Sequence, residues 1–428
     1  MGADAAKAGE SQGMIIVDDL KALDKTQRAA FFASFLGWAL DAFDYFLLTF
    51  ILKDIADEFH TSIKEVSFAI TLTLVARPFG AFVFGRLADR FGRKPVLQAD
   101  VAIYSILALA SAFSPNLWVL LALRFGFGFA MGGEWGIGAS LALETIPVKS
   151  RGIVSGILQE GYPVGFFLAS LANLALPHIG WRAMLVLGVI PALLILFIRR
   201  HVPESPAWIA EHKAGKTGGK SFVAAMKGRW GLLLYAVVLM TCFNFFSHGS
   251  QDIYPTFLKV QHKFDAGTVT ILTMVLNVGA VLGGLIFGTL SERIGRRKAI
   301  VLAALLALPI IPLWAFSATP LLLGLGAFLI QIAVQGAWGV VPVHLNELSP
   351  PEARGAFPGF AYQLGNLIAA GNATLQAGIA KSQGDNYGLA LGVTIAVVAV
   401  VLSVVTWFGP EAKGVDFAQK SGAKREGA

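Results

Sequence analysis

The sequence predicts an all-helical membrane protein with twelve transmembrane helices in two six-helix bundles. Three observations carry this. The 428 residues are 55% apolar and only 14% charged, with mean hydropathy +0.66, whereas soluble domains carry about a quarter charged residues. The apolar residues form roughly a dozen stretches of about 20, the length a helix needs to cross a bilayer, and period-two alternation is missing, which excludes a transmembrane barrel. Finally, separated motifs repeat at one constant offset.

The spans are expected near 28–51, 65–87, 95–114, 117–144, 152–176, 181–198, 231–257, 267–290, 299–317, 320–345, 355–378 and 387–408. A cytoplasmic tail (1–27), an N-terminal bundle (28–198), a connector (199–229), a C-terminal bundle (230–408) and a cytoplasmic tail (409–428) follow. Of the 34 Lys and Arg, 26 fall in the two tails and one set of loops, six fall in or beside the other set, and Arg77 and Arg124 lie inside spans. The positive-inside rule then places both termini in the cytoplasm. The formal net charge of +7 thus reports topology rather than a nucleic-acid partner. Residues 1–27 lack the apolar core of a cleaved signal, so the first span is expected to act as its own insertion signal. The lone Cys242 cannot form an intramolecular disulfide and reads as a small apolar filler.

The repeat sets the architecture. Gly85-Arg-Leu-Ala-Asp89-Arg-Phe-Gly92-Arg93-Lys94 recurs 203 residues later as Gly288-Thr-Leu-Ser-Glu292-Arg-Ile-Gly295-Arg296-Arg297. Glu144-Thr-Ile-Pro147 with Arg151-Gly152 recurs as Glu347-Leu-Ser-Pro350 with Arg354-Gly355, and Gly133-Glu-Trp135-Gly136 as Gly336-Ala-Trp338-Gly339, at the same offset. A duplicated six-helix unit follows. Each acid–arginine motif is expected in a short loop between the second and third spans of its half, where Gly85, Asp89, Arg93, Gly288, Glu292 and Arg296 close the cytoplasmic side. The doubled motif resembles the loop signature of the major facilitator superfamily. That resemblance implies two bundles rocking about a central site near the membrane midplane.

Ionisable groups inside spans cost roughly 2.5–3.5 kcal/mol to insert, so they mark the chemistry. Asp41 and Asp44 lie in span 1, Arg77 in span 2, Arg124 and Glu134 in span 4, and Glu160 in span 5. Shifted by 203, these become Asn244, Ser247, Ala280, Ala327, Ala337 and Gln363. Buried charge is concentrated in the first half, as expected if one bundle handles protons and the other neutral recognition. Asp41 and Asp44 share a helix face. Arg124 opens Arg124-Phe-Gly126-Phe-Gly128, similar to a superfamily signature whose arginine is associated with proton coupling. Arg77 is expected either to ligate an anion or to tie helices together. Glu134 and Glu160 are expected to couple protons or to pair with indole and phenol donors.

In span 7, Asn244, Ser247, His248, Gln251 and Asp252 form one polar stripe about 140° wide, which must face a cavity or a helix rather than lipid. The run Asn244-Phe-Phe-Ser247-His248-Gly-Ser250-Gln251-Asp252-Ile-Tyr254-Pro255-Thr256 resembles the span-7 signature of the fungal lactate and pyruvate permeases, in the sialate:proton symporter family. Trp38-Ala-Leu-Asp41-Ala-Phe-Asp44, Gln159-Glu160-Gly161-Tyr162-Pro163 and Pro203-Glu204-Ser205-Pro206 are similar to that family too. The hydrophilic 199–229 connector cannot supply the two extra central spans of its sialic-acid permeases. The resemblance implies proton-coupled uptake of a small monocarboxylate across a bacterial inner membrane by a monomer. Asn244, His248, Gln251, Arg124 and Arg77 would hold the carboxylate, and Asp41, Asp44, Asp252, Glu134 and Glu160 would carry the proton. Sialic-acid or aromatic-acid symport is the alternative, and an anion uniporter or channel a more distant one. Phosphate loops and metal-ligand clusters are missing from the sequence, so neither an enzyme, a metal nor a cofactor is expected.

Overall fold

The computed structural model describes residues 23–61, 63–176, 179–213 and 222–415. Most of both tails and the middle of the connector, with Lys216 and Lys220, lie outside the described residues. The described chain is helical, and ten helical segments are long and apolar enough to cross a membrane.

Spans 1–4 are Lys25–Phe50, Ile63–Phe91, Arg93–Ala112 and Leu117–Thr145. Span 5 comprises Arg151–Gln159 and Gly161–Ala175, and span 6 runs through Trp181–His201. Span 7 covers Trp230–Val260, spans 8 and 9 are Ala266–Ile294 and Arg296–Phe316, and span 10 covers Pro320–Leu348. Span 11 comprises Phe357–Ala369 and Asn372–Ser382, and span 12 is Tyr387–Phe408. Spans 5 and 11 fall outside the ten.

Proline accounts for three of the breaks. Its ring removes a donor and collides with the carbonyl four residues back. Pro163 thus ends a helix at Gln159, Pro255 ends one at Gln251, and Pro342 interrupts span 10 after Gly339. Two of these breaks lie beside ionisable residues, Glu160 and Asp252.

Span 1 packs on spans 4 and 5, and span 2 on span 4; their counterparts, span 7 on span 11 and span 8 on span 10, do the same in the second half. The halves meet where span 5 crosses span 8 and where span 2 crosses span 11. Outward faces carry bare apolar side chains such as Phe79, Leu193, Leu234, Ile271 and Phe408, as a lipid-facing surface requires.

The two ends of the described chain converge. Gln27 Nε2 donates to the Thr145 carbonyl (3.1 Å), and Arg151 Nη1 to the Val415 carbonyl (2.6 Å). At this tail-bearing end the duplicated motifs depart from the sequence expectation. They do not form loops. Spans 2 and 8 stay helical through Phe91 and Ile294, and one glycine, Gly92 (φ 106°) or Gly295 (φ 95°), turns the chain straight into the next helix. Only glycine adopts that backbone without strain.

Candidate functional site

Two constellations emerge, one at the tail-bearing end and one between the halves. At the tail-bearing end Asp89, Arg93 and Arg296 are buried rather than solvated. Arg93 Nη2 lies 3.3 Å from Asp89 and 3.2 Å from Glu144. Arg296 reaches Glu292 at 2.9 Å and Glu347 at 2.9 and 3.1 Å. Each acid also crosses to the other half. Asp89 Oδ1 accepts the Gly355 N–H (2.8 Å), and Glu292 Oε1 accepts the Gly152 N–H. Both amides stand where spans 11 and 5 begin, and a carboxylate is stabilised at a helix N-terminus. Ser155 Oγ donating to the Gly339 carbonyl (2.7 Å) and Ser140 Oγ donating to Asn346 Oδ1 (3.0 Å) add further links between the halves. The protein is closed at this end.

The connector completes the arrangement. Glu204 accepts the Arg93 N–H (2.9 Å), Ser205 Oγ donates to Glu144, and Trp208 Nε1 donates to the Asp89 carbonyl (3.0 Å). Glu411 accepts the Arg297 N–H at the matching place in the second half (3.0 Å). Burial holds the Glu204 carboxyl above its usual range, against the pull of the amides it accepts.

Between the halves, the structure separates Asp41 from Asp44. Asp44 Oδ2 pairs with Arg124 Nη1 at 3.3 Å, and its other oxygen packs on Gly188 of span 6. Arg124 also lies over the Phe127 ring, 4.9 Å from its centroid. Both residues are buried inside the first half. Asp41 lies 3.9 Å from Arg77 Nη2, and neither of its oxygens is hydrogen-bonded. Arg77 contacts Met131 Sδ (2.7 and 3.3 Å) and stands 5.3 Å from the Tyr45 ring centroid. Its guanidinium is within electrostatic reach of Tyr45, Tyr162, Tyr362 and His248. Of the two span arginines, Arg77 has second-half groups, His248 and Tyr362, within electrostatic reach, whereas Arg124 pairs with Asp44 inside the first half.

The span-7 stripe divides in two. His248 and Asp252 keep 35% and 37% of their side-chain surface and pair at 3.2 Å. Asp252 is in turn within electrostatic reach of Tyr45 and Tyr162 across the gap. His248 Nε2 lies 3.2 Å from Asn366 Oδ1. Asn244 instead is buried, with Nδ2 donating to the Met240 carbonyl (2.7 Å), and Gln251 Nε2 donates to Gln331 Oε1 (3.2 Å). Those two amides are engaged with neighbouring helix groups, so part of the stripe faces a helix and part stays accessible.

Of the two readings of Glu134 and Glu160, pairing with an indole or phenol is not seen among the described residues. All four of their carboxylate oxygens lack hydrogen-bond partners. Glu134 lodges against Gly37 of span 1 and Glu160 against Gly284 of span 8. Nearby, Trp135 Nε1 donates to Gln159 (3.3 Å).

Sequence reasoning passed over several contributors. Tyr362 of span 11 gathers the rings of Trp38, Trp135 and Trp338 at 6.5, 4.8 and 5.6 Å, while Tyr162 stacks on Trp38 at 5.2 Å. The 203-residue relation of Trp135 to Trp338 was the available signal. Asp100 was also missed. It is buried in span 3 with neither oxygen bonded, within electrostatic reach of Asp41. Its place in an apolar stretch could have flagged it. No group of His, Cys, Asp and Glu that could hold a metal occurs among the described residues.

The family model of the Major Facilitator Superfamily matches residues 34–370 and 241–425. The chain belongs to the major facilitator superfamily. This major facilitator protein is a multi-pass membrane protein whose fold is that of a transporter, not an enzyme. It is similar to the carboxylic acid transporter protein homolog of Saccharomyces cerevisiae, at 30% identity over 88% of this chain and 65% of that one. It therefore spans just under two thirds of that relative's length. The sialic acid transporter NanX of Escherichia coli is 29% identical over 90% of this chain and 94% of its own. Among solved structures, the proton:xylose symporter XylE bound to 6-bromo-6-deoxy-D-glucose superposes with a TM-score of 0.76. That match covers 92% of this chain and 98% of the other at 18% identity, a likeness of fold.

Proposed function

We propose that this protein takes up a small monocarboxylate, such as lactate or pyruvate, together with a proton by alternating access. The carrying observation is Arg77, poised between Asp41 on one side and Tyr45 and the His248 surroundings on the other. A guanidinium recognises a carboxylate by paired, charge-assisted hydrogen bonds. At 3.9 Å Asp41 competes for it as an ion without a hydrogen bond. Protonating Asp41 removes that competitor and frees Arg77 for the anion. Losing the proton restores it and expels the cargo. His248 and Gln251 supply donors from the facing half, and Asn244 shapes the wall behind them.

A carboxylic acid titrates near pH 4 and enters as an anion. Carrying one anion inward against 100 mV costs about 2.3 kcal/mol. One accompanying proton cancels this cost, and accumulation follows the pH gradient at about 1.4 kcal/mol per unit. The Asp44–Arg124 pair would hold the first half in shape or relay the proton. The two halves, 28–198 and 230–408, would rock as units in a bacterial inner membrane with both termini cytoplasmic. The closed tail-bearing end is then the state that loads from outside. The names of the yeast and Escherichia coli relatives support an organic-acid cargo.

A second reading has its own support. The rings of Trp38, Trp135, Trp338, Tyr162 and Tyr362 pack together in one aromatic cluster, and a planar acid lodged beside it would gain ring contacts, which favours an aromatic carboxylate. Uptake of labelled lactate, pyruvate, benzoate and sialate into proteoliposomes, with and without a pH gradient, tests both. Gradient-driven accumulation of lactate or pyruvate is expected. Accumulation of benzoate alone selects the second reading, and uptake indifferent to the gradient overturns proton coupling.

A further inference from the structure

The crossing of spans 5 and 8 holds a carboxyl group that the transport cycle described above does not use. Gly152, Gly156 and Glu160 recur every four residues on one face of span 5, and Gly284, Gly288 and Glu292 do so on span 8. The two faces pack backbone to backbone. A side chain at Gly156 would strike the Gly284 carbonyl, and one at Gly152 the Gly288 carbonyl. Glu292 ends one stripe by accepting the Gly152 N–H. Glu160 ends the other, lodged on Gly284, 4% exposed, with neither oxygen bonded.

The mirror-image crossing shows what such a position accepts. Adding 203 to Gly152, Gly156 and Glu160 gives Gly355, Gly359 and Gln363 on span 11, which meets Gly85 and Asp89 of span 2. Gln363 is likewise buried with both amide atoms unbonded. One crossing thus carries a group that is always neutral, and the other carries one of similar shape that can ionise.

Among the described residues no counter-charge stands at Glu160. Span 1 presents Phe35, Trp38 and Ala39 to the adjoining Gly161, and span 4 presents Trp135 to Gln159. Span 10 presents Gly339 to Gly284. Span 8 presents Glu292 two turns along, held by Arg296 at 2.9 Å. Arg151 and Tyr162 on span 5, Lys25, Arg28, Asp41, Asp44 and Tyr45 on span 1, Arg124, Glu134 and Glu144 on span 4, Arg293 on span 8, and His344 and Glu347 on span 10 are the other titratable groups of these elements. None of them acts on the Glu160 carboxyl. An unpaired carboxylate in packed, apolar surroundings is expensive.

We propose that Glu160 is a proton latch between the halves: the crossing of spans 5 and 8 closes only over the neutral acid, and opening the tail-bearing end releases one proton there. When the helices part, water solvates the group, the O–H bond breaks, and the proton passes to the water on that side. Closing recovers it. The latch needs only the opening and closing of this end, and it holds whether or not the cargo is a monocarboxylate.

The test therefore uses no substrate. In a Cys242→Ala background, spin labels at Lys149 and Lys298, exposed in the two halves at this end, report the open-to-closed ratio in nanodiscs between pH 5.5 and 9. Other carboxylates at this end titrate as well, so the slope against pH is compared between proteins. One proton released on opening contributes about tenfold in the ratio per pH unit. Glu160→Gln should lower the slope by about that factor and stay closed at high pH. Gln363→Glu should raise it, by installing a second latch at the mirror crossing. A Glu160→Gln slope equal to the parent's overturns the proposal. Should Glu160→Gln fail to yield a monodisperse protein, an unchanged slope in Gln363→Glu overturns it instead.

Discussion

The carboxylate of Asp89 accepts the backbone N–H of Gly355, 266 residues further along the chain, at 2.8 Å. Its mirror contact joins Glu292 to Gly152, so two symmetry-related acids each hold the start of a helix in the opposite half. Losing a hydrogen bond to a charged group costs about 1.5–3 kcal/mol. Asp89→Ala should accordingly shift the balance at the tail-bearing end about ten- to a hundredfold toward open, as read by the spin-label pair above. An unchanged balance would mean that the contact bears no part of the closure.

The two span-1 acids should behave differently. Asp44 is the buried counter-charge of Arg124, and breaking such a pair costs about 3–5 kcal/mol. Asp44→Asn should lower the melting temperature markedly. Asp41 has no hydrogen bond to lose. Asp41→Asn should therefore melt close to the parent, abolish gradient-driven accumulation and keep exchange of preloaded substrate. If Asp41→Asn accumulates substrate normally, the proton rides elsewhere.

Arg77 and His248 should dominate affinity. Arg77→Gln and His248→Ala should each weaken carboxylate binding by about ten- to a hundredfold, the equivalent of 1.5–3 kcal/mol, measured calorimetrically in detergent. Amide analogues of the substrate should bind poorly to the parent. Unaltered affinity in Arg77→Gln would transfer the anion site to another residue.

Gly156 sets how closely spans 5 and 8 approach, because any side chain there meets the Gly284 carbonyl. Gly156→Leu should wedge the tail-bearing end open. Labelled at Lys149 and Lys298, the variant should show mainly the long distance at every pH, and transport should stop while substrate still binds. A predominantly short distance would disprove the wedge.

Glu211, on the connector helix Pro206–Lys213, is pushed up to about 7 by burial, which Arg354 and Arg93 only partly offset. Its folded value exceeds the ordinary 4.5, so the folded state binds the proton more tightly. That contribution to stability is complete below about pH 4.5 and is lost as the pH rises through about 7. Glu211→Gln, always neutral, should melt higher than the parent at pH 8 and nearly the same at pH 4.5. A gain of equal size at both values would exclude titration of Glu211 as its cause.

The helical membrane fold and its duplication were legible in the sequence, because both are carried by patterns along the chain. Hydrocarbon admits only long apolar helices or closed barrels, and one offset relates Asp89 to Glu292, Arg93 to Arg296 and Glu144 to Glu347. Spacing also showed which residues share a helix face, and so marked His248 with Asp252. It could not show what that face meets. Asp41 and Asp44 lie on one stripe, yet one meets Arg77 of span 2 and the other Arg124 of span 4. Asn244 and His248 likewise share a stripe, but only His248 stays accessible. Tyr362 and Asn366 carried no sequence pattern, and Asp100 showed only as an acid in an apolar stretch, since their importance comes from neighbours on other helices. Glu160 was visible as an acid inside a span; only the packing of span 5 on span 8 left it without a partner. Periodicity follows from the geometry of a single helix, whereas partnership depends on how helices far apart in sequence cross, and that is set by tertiary packing.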